Sequence, residues 1–566
     1  MVTKVLIDSL KLVHYSRCEK GILSAIEHFG FYYKIVDLAF ERFFEREIEN
    51  TNLLIIGQEG TGFSLGKTEI ELIIKNVYSQ GMGLVIFDGY IISYPEDFFK
   101  NLKISGFIPR KTKKLKLEKS AWLCQGTYLN EIELKKDLIF YSVQFEKKFW
   151  KPFLYSDENE ICGLYGIFGK GRIVLFLTSA GLWQDETLGH AEGLDDVFFR
   201  ALIWASKKPI VTKTMPPFIT ARIDDASASG SKIAKYKETV EKFRYVDILN
   251  KYYIIPNIGL FIDDIKEEDI PSIREKYFEK YAEFSPHAFS DPRNLNEFPI
   301  YMKHNGEEFS EAELEENFKR VDIKFENFGI KPSKTVNVHF GELGIKALKY
   351  LKERNQTFLM NIIKPGKAFS DPKAHIWDLK PYGKIYFSLS EIPEDKDFFN
   401  VLSIPFRIES KISDEKKPDF DFLFGCTQFW NENNFVDIKK AIRRGVFQIK
   451  RGLENKFFGC FMCHEQRISF LKLEEWEEII KGIIDEIGKK DIIFRSYDYI
   501  SEYAKNLKSV SIEKIEYDKN LRITMKGKTK IPLLLTVFQD KDEKEVIFNF
   551  LEIPPFENYT ILSFKI

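Results

Sequence analysis

Two aspartates stand side by side in "FITARIDDASASGS" (218–231), where a short apolar run ends. Like charges at adjacent positions repel, and burial raises the cost. A cation facing the pair removes the repulsion, and a carboxylate beside it can take a proton from water. The plainer alternative is a helix N-cap, with Asp225 capping "ASASGSKIAKYKETVEKF". Further groups that titrate or bind metal fall at other apolar run ends. Asp263 and Asp264 close "GLFIDDI", and His287 and Asp291 lie in "FSPHAFSD". His339 ends "TVNVHF" with Glu342 nearby, and His464 ends "FFGCFMCH" with Glu465 next to it. The chain has only eight histidines, and three sit at or just after these ends. A shared site explains that placement better than three unrelated structural histidines. His304 and His375 lie in polar loops, where a solvated role is the default expectation.

The elements that must position these groups read as strands alternating with helices. Residues 1–208 contain the strands "TNLLIIG", "GLVIFDG" and "GRIVLFLTSAG", the helix "KTEIELIIKNVYSQG" and a closing helix "GLDDVFFRALIWASKKP". That alternation predicts an open, largely parallel, flavodoxin-like sheet. "KKPIVTKTMPP" reads as a linker. Residues 209–505 alternate again, with strand candidates "FITARID", "IPNIGLFID", "TVNVHF", "TFLMNII", "KIYFSL", "FLFGC" and "FFGCFMC". Strands in that number with crossovers predict a distorted seven-stranded (β/α) barrel, whose chemistry belongs at the C-terminal strand ends. Residues 506–566 hold short strands with turns and no helix, which predicts a small C-terminal β-sandwich. The fold class is therefore α/β, multidomain.

Two motifs mislead. "GTGFSLGKTEIE" (60–71) looks like a phosphate loop, but Thr61 stands where the pattern needs Gly. "CFMCH" (460–464) has the haem-attachment spacing but sits in an apolar strand, so Cys460 and Cys463 read as small buried hydrophobes. The 84 basic and 85 acidic residues nearly cancel, which gives no reason to expect a nucleic-acid partner. No signal peptide is read at the start, and no window reaches the ~18 apolar residues of a membrane span. The expectation is a cytoplasmic protein with no membrane partner. Its richness in Lys and Glu would suit a thermophile.

"ITARIDD" resembles the first motif of the NodB-homology polysaccharide deacetylases. The resemblance covers roughly the middle half of the chain. It implies that Asp224 is the general base, Asp225 a metal ligand and His464 the general acid. It sets His287 and Asp291 at the positions of the family's two metal-binding histidines, the second being a carboxylate here. "VNVHFGELGIKALKYLKE" has the shape of the third motif, with Asn337 where the family has Arg and His339 where it has Pro. The implied cofactor is a divalent metal, zinc first, with cobalt or nickel as alternatives. The implied partner is a carbohydrate. Arg222, His339, Glu342 and Asp264 are kept as substrate-binding groups or alternative ligands. The first segment resembles class I glutamine-amidotransferase-like domains through "GKGRIVLFLTSAG" and "GHAEGLDDVFFRALIWASKKP". Asp88 stands where such an enzyme needs a nucleophilic Cys, so the segment is expected to be non-catalytic, serving carbohydrate binding or assembly, with His190 structural or at an interface. It is also where a homo-oligomer contact is expected.

Two other readings stay open. A glycoside hydrolase would use two carboxylates, such as Asp224 with Asp264 or Glu342, spaced ~5–9.5 Å apart and needing no metal. A carbohydrate-binding or scaffold protein would keep the fold without the chemistry. "TQFWNENN" (427–434) is a candidate aromatic platform for a sugar.

Overall fold

The computed structural model describes the chain apart from residues 42–47, 49, 292–297, 372–385, 389–397, 402–420, 427–435, 489, 490 and 566. "TQFWNENN" and His375 therefore lie outside the described residues. The chain forms two compact units. One contains residues 1–214, 454–456 and 506–566, and the other contains residues 215–453 and 457–505.

The first unit is built on a nine-stranded sheet. Its strands are β1 (Val2–Ile7), β2 (Tyr33–Asp37), β3 (Thr51–Ile56), β4 (Gly83–Ile86), β5 (Ile104–Leu117), β6 (Glu131–Phe145), β7 (Trp150–Ser156), β8 (Ile161–Phe168) and β9 (Gly171–Phe176). The order is β2-β1-β3-β4-β9-β8-β7-β5-β6. β2, β1, β3, β4 and β9 are parallel, and β1, β3 and β4 are buried along their whole length. Both faces of such strands are covered, which is why "LLII" and "GLVI" show no alternation. β8, β7, β5 and β6 extend the sheet antiparallel. β5, "ISGFIPRKTKKLKL", exposes many of its lysines, so it carries little of the apolar signal by which a strand is read.

Asp88, just past β4, is buried and accepts bonds from Gly60 N, Thr61 N, Tyr90 N and Tyr94 Oη. Burial still outweighs these donors and lifts its pKa to about 6. His190 is held by Asp195 at 2.7 Å and stacks on Trp183. Both groups are saturated by structural partners. A short strand β10 (Ile210–Thr212) follows.

In the second unit, β11 (Phe218–Ala226) lies between β12 (Pro256–Phe261) and β18 (Gly459–His464), with β13 (Glu283–Ala288) beyond β12. These four are parallel, and β19 (Ile493–Phe494) pairs with the start of β11. β14 (Thr335–Val336), β15 (Phe358–Leu359), β16 (Tyr386–Ser388) and β17 (Phe399–Val401) form a second sheet, in the order β14-β15-β17-β16. Helices 244–251, 270–278 and 473–487 separate strands of the parallel sheet, as crossovers require, and helix 311–328 leads from it to the second sheet. Helix 311–328 opens on a Ser310–Glu313 capping box and ends at Gly329 in the left-handed conformation. The expected strand "FLFGC" is instead a turn. Asp421 Oδ1 accepts Leu423 N, and Arg444 holds the carbonyls of Asp421 and Phe422, so those groups are not free for a ladder.

The C-terminal segment contains β20 (Val510–Tyr517), β21 (Leu521–Thr529), β22 (Leu533–Asp540), β23 (Val546–Ile553) and β24 (Phe556–Phe564). They form two antiparallel sheets, β20-β21-β24 and β10-β22-β23. No helix among the described residues is long and apolar enough to cross a membrane.

Candidate functional site

Parallel strands bring their C-terminal ends to one edge, and there the candidate residues converge. β11 runs in regular register beside β18 until Asp224 pairs with His464. Arg222 and Asp224 therefore share a face. Arg222 binds Asp224 in bidentate fashion, Nε at 2.8 Å and Nη2 at 2.7 Å, and both are buried. Against β12 the register slips between Ile223 and Ala226, and Asp225 takes φ +58°. In a regular strand neighbouring side chains point to opposite faces. The bulge breaks that alternation and lets both carboxylates reach the histidines. Glu465, at the end of β18, accepts Ser227 N and Ala228 N, each at 2.8 Å. The capping role offered to Asp225 thus falls to Glu465.

Asp225, His287 and His339 place one ligand atom each within 4.8 Å of one another. His287 Nε2 is 3.1 Å and His339 Nε2 3.6 Å from Asp225 Oδ1. His287 Nδ1 donates to Asn337 O at 2.8 Å, which in the neutral ring leaves Nε2 an acceptor aimed at a carboxylate oxygen. Asp225 Oδ1 and His339 Nδ1 are buried without a hydrogen-bond partner. Acceptors converging on one point, with a histidine held from behind by a backbone carbonyl, fit a cation. Burial and the neighbouring His287 push His339 down to about 3, which favours the neutral ring.

Asp224 lies beside this cluster. Burial opposes its charge, but Arg222 outweighs burial and holds it below the usual carboxylate range. Asn337 Nδ2 donates to its Oδ1 at 2.6 Å. On the neighbouring strand, His464 Nδ1 bonds Asp421 Oδ2 at 2.7 Å, and Arg467 Nε lies 2.9 Å from the same oxygen. Burial opposes a charge on His464. The Asp421 bond and the charges of Asp225, Asp421 and Asp224 overcome it and lift its pKa to about 9. Asp224, held low by Arg222, and His464, raised by its carboxylate neighbours, thus lie at the strand ends beside the three groups that could hold an ion.

The other candidates lie outside this set. Asp291 donates its backbone N to Asp264 Oδ2, and its carboxylate is not in the cluster. His339, from the neighbouring segment, stands there instead. Asp264 is occupied with Asp291 N and approaches Lys232 at 3.9 Å. Asp263 pairs with Arg320 and Lys324. Glu342 accepts from His304 and from Phe369 N. Asp421, Arg467 and Asn337 as a hydrogen-bond donor were not foreseen. The one local signal is Asp421 standing directly before the apolar run 422–424. Cys460 and Cys463 are fully buried in β18 with thiols pushed up by burial, so the haem-like spacing carries no chemistry.

No family model matches the chain, and no curated protein matches it in sequence. Among solved structures, the chain is similar over 100% of its length, and over 98% of the other, to Agd3, described as a novel carbohydrate deacetylase. The TM-score is 0.55 at 9% identity. A polysaccharide deacetylase candidate from Mycobacterium smegmatis aligns with 53% of this chain and 95% of its own, at TM-score 0.34 and 13% identity. The Agd3 likeness shows a shared fold spanning both chains.

Proposed function

We propose that the chain is a metal-dependent carbohydrate deacetylase, a hydrolase acting on N- or O-linked acetyl groups. The observation that carries this reading is the convergence of Asp225, His287 and His339 beside Asp224, held low by Arg222, and His464, raised by its carboxylate neighbours. Asp225, His287 and His339 would hold a divalent ion, zinc or else cobalt or nickel. When bound, such an ion supplies Lewis-acid polarisation of the acyl carbonyl and acidifies water.

The chain's own groups do the rest. Asp224 is the general base that takes the proton of the attacking water. Arg222 and Asn337 fix its two oxygens, which keeps it ionised and aimed. His464 gives its proton to the leaving nitrogen or oxygen, and Asp421 keeps it charged until then. Arg222, two residues before the base, supplies the arginine contact to Asp224, while Asn337, at the family's third-motif Arg position, supplies a neutral hydrogen bond.

We read the second unit as a distorted seven-stranded barrel and the C-terminal strands as a sandwich. The first unit we read as non-catalytic, because Asp88 and His190 are spent on structural bonds. A glycosidase is less well supported. It needs a carboxylic acid with a raised pKa, whereas Asp224 is held low and Glu342 and Asp264 are occupied.

The test is metal analysis of the wild type beside Asp225→Ala and His287→Ala, together with acetate release from acetylated oligosaccharides. Near-stoichiometric metal that both variants lose, with acetate release only in the wild type, is the expected result. A wild type that binds neither zinc, cobalt nor nickel sinks the mechanism.

A further inference from the structure

His304 was expected to be a solvated loop residue, but the fold builds it into the rim of the site. Its Nδ1 lies 2.8 Å from Glu342 Oε2. A carboxylate only accepts, so Nδ1 carries the proton and Nε2 is left as an acceptor in the neutral ring. Glu342 is 6% exposed, and its other oxygen accepts Phe369 N at 2.9 Å. The His304 side chain is 30% exposed. A buried acid thus orients a ring that reaches solvent.

The surrounding segments are strapped together. Glu308 accepts Ile345 N at 2.7 Å and Lys346 N at 3.3 Å, and Gly344 N donates to Tyr301 O. Gly306, at φ +87°, lets the 303–307 turn approach Ala368, where a Cβ would meet Ala368 Cβ at 3.1 Å.

Between His304 and the ligand cluster stands Phe340. Its ring lies 5.0 Å from His304 and stacks on His339 at 4.1 Å. Phe369 adds a third ring 5.6 Å from Phe340. Phe340 is half-buried and holds φ +52°, a conformation that costs a bulky residue on the order of 1–3 kcal/mol. Such strain persists where the surroundings over-determine it. Phe340 is only half-buried, so an apolar ring stands next to a fixed polar acceptor, a pairing that suits a sugar with its carbon–hydrogen surfaces and hydroxyl groups.

Resting on the deacetylase reading, we propose that His304, oriented by Glu342 and flanked by Phe340, is a specificity residue for the saccharide. Its Nε2 accepts a hydroxyl hydrogen bond from the pyranose whose acyl group is presented to Asp224 and His464. His304 binds the sugar and takes no part in proton transfer.

The experiment compares wild type, His304→Ala and His304→Gln, all zinc-loaded and full length. The probes are 4-nitrophenyl acetate, which has an acyl group and no sugar, and a panel of N- and O-acetylated oligosaccharides. Loss of one such hydrogen bond predicts a fall of about fivefold to tenfold in kcat/KM on the oligosaccharide, mainly in KM. Activity on 4-nitrophenyl acetate and zinc content stay within about twofold. An equal fall on both probes makes His304 structural or catalytic and overturns the proposal, as does an unchanged oligosaccharide rate. A wild type inactive on both probes overturns the deacetylase reading itself, and the proposal with it. Melting temperatures exclude misfolding, and His304→Gln keeps a polar group if His304→Ala does not fold.

Discussion

Replacing Asp421 by Asn tests the proton economy of the site. Asp421 Oδ2 sits 2.7 Å from His464 Nδ1, and the pair holds His464 protonated to about pH 9. An opposite charge at that range typically accounts for about 1–3 pH units of a shift. Asn can keep its one acceptor oxygen toward His464, at the cost of the Leu423 N bond, and removes the charge, so the His464 midpoint falls by that amount. For a two-unit fall, the protonated share at pH 8 drops from about 90% to about 10%. If His464 delivers the leaving-group proton, kcat/KM of the variant is about tenfold below wild type at pH 8. At pH 6 the two are nearly equal, because both are then protonated. The assay is a kcat/KM profile from pH 6 to 10 on the metal-loaded protein, with an NMR titration of His464 in the metal-free chain as a second readout. The signs are fixed. A His with a raised folded pKa contributes stability fully present below its unfolded value of about 6.5, and that stability is lost as pH rises through about 9. A loss of activity equal at every pH would refute the acid role and leave Asp421 only as the brace of the 421–426 turn.

His339→Ala should weaken zinc binding by more than about 100-fold, beyond the range typical of supporting residues, while Asp291→Ala changes it less than about threefold. Competition with a chromophoric chelator measures both, and the reverse order would place the third ligand at Asp291. Arg222→Leu leaves the Asp224 carboxylate buried against Asn337 alone and should cost about 3–5 kcal/mol by denaturant unfolding. The Asp224 contribution to stability is present above the ordinary carboxylate range and is lost as pH falls toward its depressed value, so the variant should also lose the wild type's extra resistance to acid. Glu465→Ala strands Ser227 N and Ala228 N, which should cost about 1–3 kcal/mol per unsatisfied group and loosen Asp225. Glu465→Gln, which keeps an acceptor, should restore most of the zinc affinity that Glu465→Ala loses.

What was legible in the chain was local. An apolar run ending in Asp224 and Asp225, and histidines at other run ends, are visible because a parallel sheet collects its strand ends at one edge. The choice between His339 and Asp291 was not. The resemblance to the deacetylases sets Asp291 as the second ligand, but β13 stops at Ala288, and three residues later the Asp291 backbone has bonded to Asp264. His339 comes from a segment about fifty residues away, and only tertiary packing brings it beside His287. Asp421 was hidden because a turn rich in Phe and Leu looks like a strand until Arg444 is seen holding its carbonyls. The lysine-rich β5 and its partner β6 escaped notice because their pattern is set by a long hairpin that is largely solvent-facing.

The six cysteines, none in a disulfide, offer an unplanned instrument. Cys18, Cys124 and Cys162 belong to the first unit, and Cys426, Cys460 and Cys463 to the second. All six are buried, and burial drives their thiols to about 12 or higher, so the native thiols should react only slowly with alkylating reagents. Each thiol becomes reactive only when its own surroundings open. Pulse alkylation followed by peptide mass analysis therefore clocks the opening of each unit separately, without a single engineered probe. Adding zinc should slow the clock of Cys460 and Cys463, on the strand that ends in His464, and leave that of Cys18 unchanged.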